Sequence, residues 1–159
     1  MKRRRLLLGL MLAPVAVQAQ PFNPTGPQPE LPKERLVITT RDGIHHDFTV
    51  EMAIKQDQQM TGLMFRPSVP ADGGMLFDWG TPHDSQMWMR NTIASLDMVF
   101  INADGTIRSI AENTVPQSLA VIDSRGPVRA TLELAAGTTA RLNIRVGDKV
   151  QQRIFGNAP

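Results

Sequence analysis

The 159-residue sequence contains no cysteine, which excludes thiol nucleophiles, disulfide stapling and cysteine-ligated zinc or iron–sulfur sites. Histidine is scarce, with His45, His46 and His83 the only copies, and 5% of residues are aromatic. There is no G-x-S-x-G elbow, H-E-x-x-H helix, Walker loop or dinucleotide fingerprint. Nucleotide and zinc-protease chemistry are therefore set aside, and no cofactor is expected. Nor is there a surplus of positive charge where a nucleic acid would need it. Lys2, Arg3, Arg4 and Arg5 carry four of the 17 basic groups, so the rest of the chain has fewer Lys and Arg than its 15 Asp and Glu. The pI of about 9.5 belongs largely to those first residues. Because phosphate neutralisation supplies most nucleic-acid affinity, no nucleic-acid partner is expected.

What is present begins with a leader. Lys2-Arg3-Arg4-Arg5 is a positive n-region, residues 6–17 are apolar apart from interruptions such as Gly9 and Pro14, and Val17-Gln18-Ala19 is a small-residue cleavage site. Residues 1–19 are expected to be an export signal cleaved after Ala19. The alternative, a membrane anchor, is disfavoured because about a dozen apolar residues fall short of the roughly 30 Å hydrocarbon core. Beyond the leader there is no second apolar run of spanning length, so no stable membrane anchor is expected after cleavage. Arg3-Arg4-Arg5-Leu6-Leu7 also fits the loose twin-arginine pattern, but ordinary Sec signals are Arg-rich too, and Sec export to the periplasm or medium is the expectation. Pro21, Pro24, Pro27, Pro29 and Pro32 then mark residues 20–34 as an extended, disordered linker. A proline-rich ligand for a partner groove is the competing reading of that segment.

Residues 35–156 read as one β-rich domain. Leu36-Val37-Ile38-Thr39-Thr40, the turn Arg41-Asp42-Gly43 and the alternation at Phe48, Val50 and Met52 predict a hairpin. Residues 53–64 predict a short amphipathic helix weakened by Gly62. Strands are expected at residues 75–77, 86–90, 129–134 and 150–155, and a helical turn at 138–142. Leu96-Asp97-Met98-Val99-Phe100-Ile101 is apolar on both faces except at Asp97, the signature of a strand covered on both sides. Asn102-Ala103-Asp104-Gly105 suits a three-residue hairpin loop with a bulge, in a register that sets Ile101 against Ile107 and Met98 against Ile110. The fold class is mainly β, a compact sandwich or barrel with about two short helices.

Six ordered segments carry a resemblance: Gly62-Leu63-Met64-Phe65-Arg66, Gly74-Met75-Leu76-Phe77, Trp88-Met89-Arg90-Asn91-Thr92, Leu96-Asp97, Leu132-Glu133-Leu134-Ala135-Ala136-Gly137 and Gly147-Asp148-Lys149-Val150. In their order and spacing the chain resembles the domain-of-unknown-function 192 family of small, often exported prokaryotic proteins, over roughly residues 36–155. Met87 departs from the aromatic that commonly precedes the Trp, and Ala94-Ser95 from the usual approach to Leu96-Asp97. The resemblance implies a compact β-rich fold with a jelly-roll among its forms. It implies no established activity, substrate or cofactor.

The candidate binding-surface residues are Arg66, His83, Trp88, Arg90, Asn91 and Asp97. A carboxylate in an apolar strand must be paired, hydrogen-bonded or protonated, so Asp97 is either a general acid or, as preferred, an acceptor that pins the Arg90-Asn91-Thr92 turn. Trp88 is expected in the core with its N–H satisfied; if exposed, it joins Arg66 or Arg90 as a platform for a sugar ring, peptide or aromatic ligand. Met87, Met89, Met98 and His83 could hold copper(I), but Met is equally a core filler and no metal site is expected. Glu133 is expected to be a paired core carboxylate and Asp148 a turn cap. The leading functional expectation is an exported binding or accessory module of the envelope that takes a glycan, peptide or small molecule. The alternatives are a small hydrolase acting on an envelope polymer through Asp97 or Glu133 with His83, and a Met/His metal-binding protein. An open cleft holding two carboxyls, or one with His83, favours the hydrolase, whereas a flat patch with every carboxyl paired favours binding.

Overall fold

The computed structural model describes residues 22–159; the expected signal and its cleavage site lie outside the described residues. Short runs of β-branched and apolar residues form seven strands: β1 (Lys33–Thr39), β2 (His45–Ala53), β3 (Gly73–Met87), β4 (Leu96–Ile101), β5 (Ile107–Ala111), β6 (Ile122–Ala135) and β7 (Lys149–Gln151). Two short helices, α1 (Gln56–Thr61) and α2 (Thr138–Arg141), and a 3-10 turn at Arg153–Phe155 complete the described elements. The strand order is β5-β4-β6-β3-β2-β1-β7. Only β2 and β3 pair in parallel; a parallel pair needs a crossover, and α1 with its following loop supplies it.

This sheet curls into a half-barrel. Its two edges approach where the β4–β5 hairpin meets β7: Ile107 N donates to Asp148 O at 2.9 Å and Val150 N to Gly105 O at 2.8 Å. One face gathers side chains from every strand, among them Leu36, Phe48, Leu76, Val99, Ile107, Leu132 and Val150, and forms the core inside the curl. The other face carries Met75, Phe77, Met98 and Phe100, covered by Leu63 and Met89 from loops. All six residues of β4 are buried, as a strand covered on both sides requires.

Several boundaries differ from the sequence expectation. Helix α1 stops at Thr61 because Gly62 turns to φ +50°, where a Cβ would meet the Phe77 ring at 3.0 Å. The expected strands at 75–77 and 86–90 are one strand, in which Trp79 to Pro82 bulge opposite Arg129 alone. That strand ends at Met87, so Trp88, Met89 and Arg90 lie beyond the sheet. Ile101 does face Ile107, but a register shift next to it sets Met98 against Ala111 rather than Ile110.

The part of the expected linker that is described does not hang free. Leu31 N donates to Glu51 Oε2 at 2.8 Å, Met52 N to Pro32 O at 3.0 Å, and the Gln28 amide to Gln58 O and Gly62 O at 3.0 and 2.9 Å. Leu31 also packs on the outer core, and β1 begins at Lys33 rather than near Arg35. These residues find apolar surface and hydrogen-bond partners that composition alone does not reveal.

Candidate functional site

Glu133 lies on the outer face of β6, between Met75 of β3 and Met98 of β4. Neither neighbour can pair with a carboxyl. Glu133 is 4% exposed, and its Oε2 has no hydrogen-bond partner. Burial pushes its pKa up to about 8, since desolvation penalises the charged form. At neutral pH it is a protonated acid with a proton to donate, not the paired carboxylate expected.

Above Glu133 opens a cleft of about 570 Å³. Phe77, Trp79 and Met87 of β3 line it together with Met60, Leu63, Met64 and the rim residues Trp88 and Arg90. Trp79 is fixed in place: its Nε1 donates to Thr131 Oγ1 at 3.1 Å, and its ring stacks on Phe77 and meets His83 edge-on at centroid distances of 5.5 and 5.4 Å. Trp88 is 46% exposed, which corrects the expectation of core burial. Because β3 ends one residue earlier, strand alternation does not apply to it. The Arg90 guanidinium lies 5.5 Å over its ring centroid, a cation–π contact that holds the indole at the mouth.

The turn that carries Trp88 is built from neighbouring loops. Phe65 N donates to Asn91 O at 2.8 Å, Met89 N to Ser118 O at 3.0 Å, and Gln117 N to Thr92 O at 3.0 Å. Asp97 takes no part. Its Oδ1 accepts from Asn113 N and Gly137 N at 2.9 and 3.1 Å, and its Oδ2 from Thr139 N and Thr139 Oγ1 at 2.9 and 2.8 Å. Asp97 is thus an anchor, but of the start of α2 and the turn after β5 rather than of the Arg90-Asn91-Thr92 turn.

Comparison with known proteins places this architecture. The profile of the DUF192 family, described as Uncharacterized ACR, matches residues 37–152. The chain belongs to the DUF192 family. No curated protein matches it. A crystal structure from Sinorhizobium meliloti 1021, named as a "putative transcription regulator", is 48% identical with a TM-score of 0.78, covering 80% of this chain and 98% of its own. A protein of unknown function from Novosphingobium aromaticivorans DSM 12444 is 37% identical with a TM-score of 0.74, covering 77% and 86%.

Within this DUF192 chain the candidate residues separate. His83, Trp88 and Arg90 share the cleft, and Glu133 joins them. Arg66 does not: both of its terminal nitrogens bind the buried Glu51 carboxylate, Nη2 to Oε2 at 2.9 Å, in a neighbouring groove. Asn91 holds the adjoining turn in the left-handed region, at φ 55°. Met89 and Met98 fill the outer core while His83 stays at the rim, so the copper(I) set is split between core and surface. Among the described residues no three His, Asp or Glu side chains gather as a metal set. Asp148 caps turns as expected, accepting from Arg41 N and Arg145 N at 3.1 and 2.7 Å. Phe22, Met60 and Trp79 were not singled out from sequence. Glu133 carried one missed signal, in that aligning β6 with β3 and β4 leaves it facing methionine on both sides.

Proposed function

We propose that the chain is a binding module of the cell envelope, exported by its leader, which holds a ligand in the cleft beside Trp88. The observation that carries this reading is an exposed indole under Arg90 at the mouth of an apolar cleft whose floor is one unpartnered carboxyl. An apolar wall with few polar groups aimed inward is the usual anatomy of a ligand site. A protonated Glu133 supplies a hydrogen-bond donor to a carbonyl or similar acceptor.

The cleft holds one carboxyl with His83, the arrangement that by the sequence criterion favours the hydrolase, and a neutral carboxyl is what a general acid requires. Their spacing opposes it. His83 stands opposite Val128, five residues along β6 from Glu133, roughly 16 Å at strand rise, and the Trp79 ring sits against His83. A histidine and a carboxyl that act on one bond must both come within hydrogen-bond reach of the reacting atoms. Asp97, the other carboxyl of that reading, lies on the opposite face of the sheet. As for the regulator name of the Sinorhizobium relative, the lack of a basic surplus after the leader favours a small or linear ligand over a nucleic acid.

A thermal-shift and NMR screen with glycans, peptides and small carbonyl compounds tests the proposal. A true ligand raises the melting temperature by mass action, shifts the Trp88 indole resonance and loses its effect in Trp88→Ala. Turnover of a panel compound that disappears in Glu133→Gln would replace this reading with the hydrolase.

A further inference from the structure

Residues 22–29 read Phe-Asn-Pro-Thr-Gly-Pro-Gln-Pro, and they run beside the cleft. Phe22 and Pro24 line it. Arg90, the residue stacked on Trp88, donates through Nη2 to Asn23 Oδ1 at 2.8 Å. At the other end the Gln28 amide binds the carbonyls of Gln58 and Gly62 at the end of α1. No helix or strand forms before Lys33 among the described residues. Up to Gln28 the hydrogen bonds that hold the segment come from side chains and not from a sheet ladder. It borders the cleft without filling it: Phe22 is 42% exposed and Glu133 Oε2 is unpartnered.

Proline-bearing segments enter aromatic-lined grooves readily because they are already extended and lose little conformational freedom on docking. Trp88, Trp79 and Phe77 supply such a wall here. We propose that the cleft is a site for an extended polypeptide segment carrying an aromatic residue among prolines, and that the chain's own residues 22–29 occupy it in cis until such a segment displaces them. This rests on the reading of the cleft as a ligand site and names its ligand class. The partner is a non-globular tail or linker of another protein. Cleavage after Ala19 leaves the cis segment as the N-terminal end of the exported chain, tethered on one side only. A short tether gives it an effective concentration in the millimolar range, so weakly matched peptides are rejected and a well-matched one must outcompete it.

The test compares the full exported chain with the same chain bearing Phe22→Ala and Asn23→Ala, two exposed positions whose change leaves the cores intact. The probe is the synthetic peptide of residues 20–29, Gln-Pro-Phe-Asn-Pro-Thr-Gly-Pro-Gln-Pro. Both tryptophans of the chain line the cleft, so intrinsic fluorescence reports on it directly. The double variant should bind the peptide saturably, at least about ten-fold more tightly than the wild type, in which the tether competes. In the wild type, NMR cross-peaks should join the Phe22 ring to cleft side chains. Equal affinity in the two proteins, no binding to the double variant, or missing Phe22 cross-peaks each overturns the proposal. If panel compounds shift the Trp88 indole while the peptide binds neither protein, the peptide assignment falls and the binding role stands. If nothing shifts it, both fall.

Discussion

Asp97 and Glu133 stand one register step apart on paired strands, Asp97 opposite Leu134 and Glu133 opposite Met98, and project to opposite faces of one sheet. Asp97 accepts four hydrogen bonds, whereas Glu133 Oε2 accepts none. Two buried carboxyls of similar chemistry are thereby assigned different work. The one inside the curl ties a helix start and a turn to β4, and the one outside lies unpartnered beside the cleft.

Replacing Asp97 by Asn leaves one acceptor oxygen and turns an NH2 group toward the donors of residue 139 or 113. The loss of charge-assisted bonds at a fully buried site should cost roughly 1.5 to 3 kcal/mol in denaturant melts. Ligand affinity in the cleft, on the other face, should hold at temperatures where the variant is folded. An Asp97→Asn protein as stable as wild type would refute the anchor.

Trp88→Ala should behave in the opposite way. A core tryptophan costs about 3 to 5 kcal/mol on truncation, but this one is half-exposed beyond the end of β3, so the loss should stay within about 1 kcal/mol. Binding should fall sharply in the same titration. A large stability loss would return Trp88 to the core.

Arg66 should act on stability and not on binding. Its pair with Glu51 is mostly buried, with side-chain exposures of 15% and 7%. Arg66→Met therefore strands a buried carboxylate at a cost of about 3 to 5 kcal/mol, whereas replacing both partners by Met should recover much of it. Unfolding curves of the single and double variants decide this, and a cleft ligand should bind the folded double variant with wild-type affinity.

The β-rich class, the β1–β2 hairpin, the buried β4 and the hairpin turn after it were legible because β-branching, alternation and Asp-Gly chemistry are local signals. Legibility failed where a long-range partner decides. Gly80-Thr81-Pro82 reads as a loop, yet β6 pairs with the residues on both sides and turns it into a bulge. Gly126-Pro127 hid the first half of β6 in the same way. The position of Trp88 depended on where β3 ends, and the isolation of Glu133 on which residues flank it across the sheet. Neither is encoded within a few residues. The prolines of residues 20–34 read as a disordered linker, and composition could not say that the described part would find hydrogen-bond partners on the domain.

The isolation of Glu133 has a measurable consequence for stability against pH. Its proton is held up to about pH 8 in the folded chain, against an ordinary value of 4.5 when unfolded. Below pH 4.5 both states are protonated and this group contributes no pH dependence. Between there and about pH 8 the unfolded chain releases the proton while the folded chain keeps it. Stability is therefore lost as pH rises, by at most about 1.4 kcal/mol per pH unit from this group. Above about pH 8 the folded chain ionises too and the slope vanishes. Glu133→Gln removes the group, so denaturant midpoints from pH 5 to 9 should fall more steeply for the wild type than for the variant, with the gap levelling off near pH 8. Parallel curves would mean that Glu133 has a charge partner in solution. A ligand that accepts the Glu133 proton should, in the same series, bind the wild type progressively more weakly above about pH 8 and bind Glu133→Gln, whose amide still donates, without that decline.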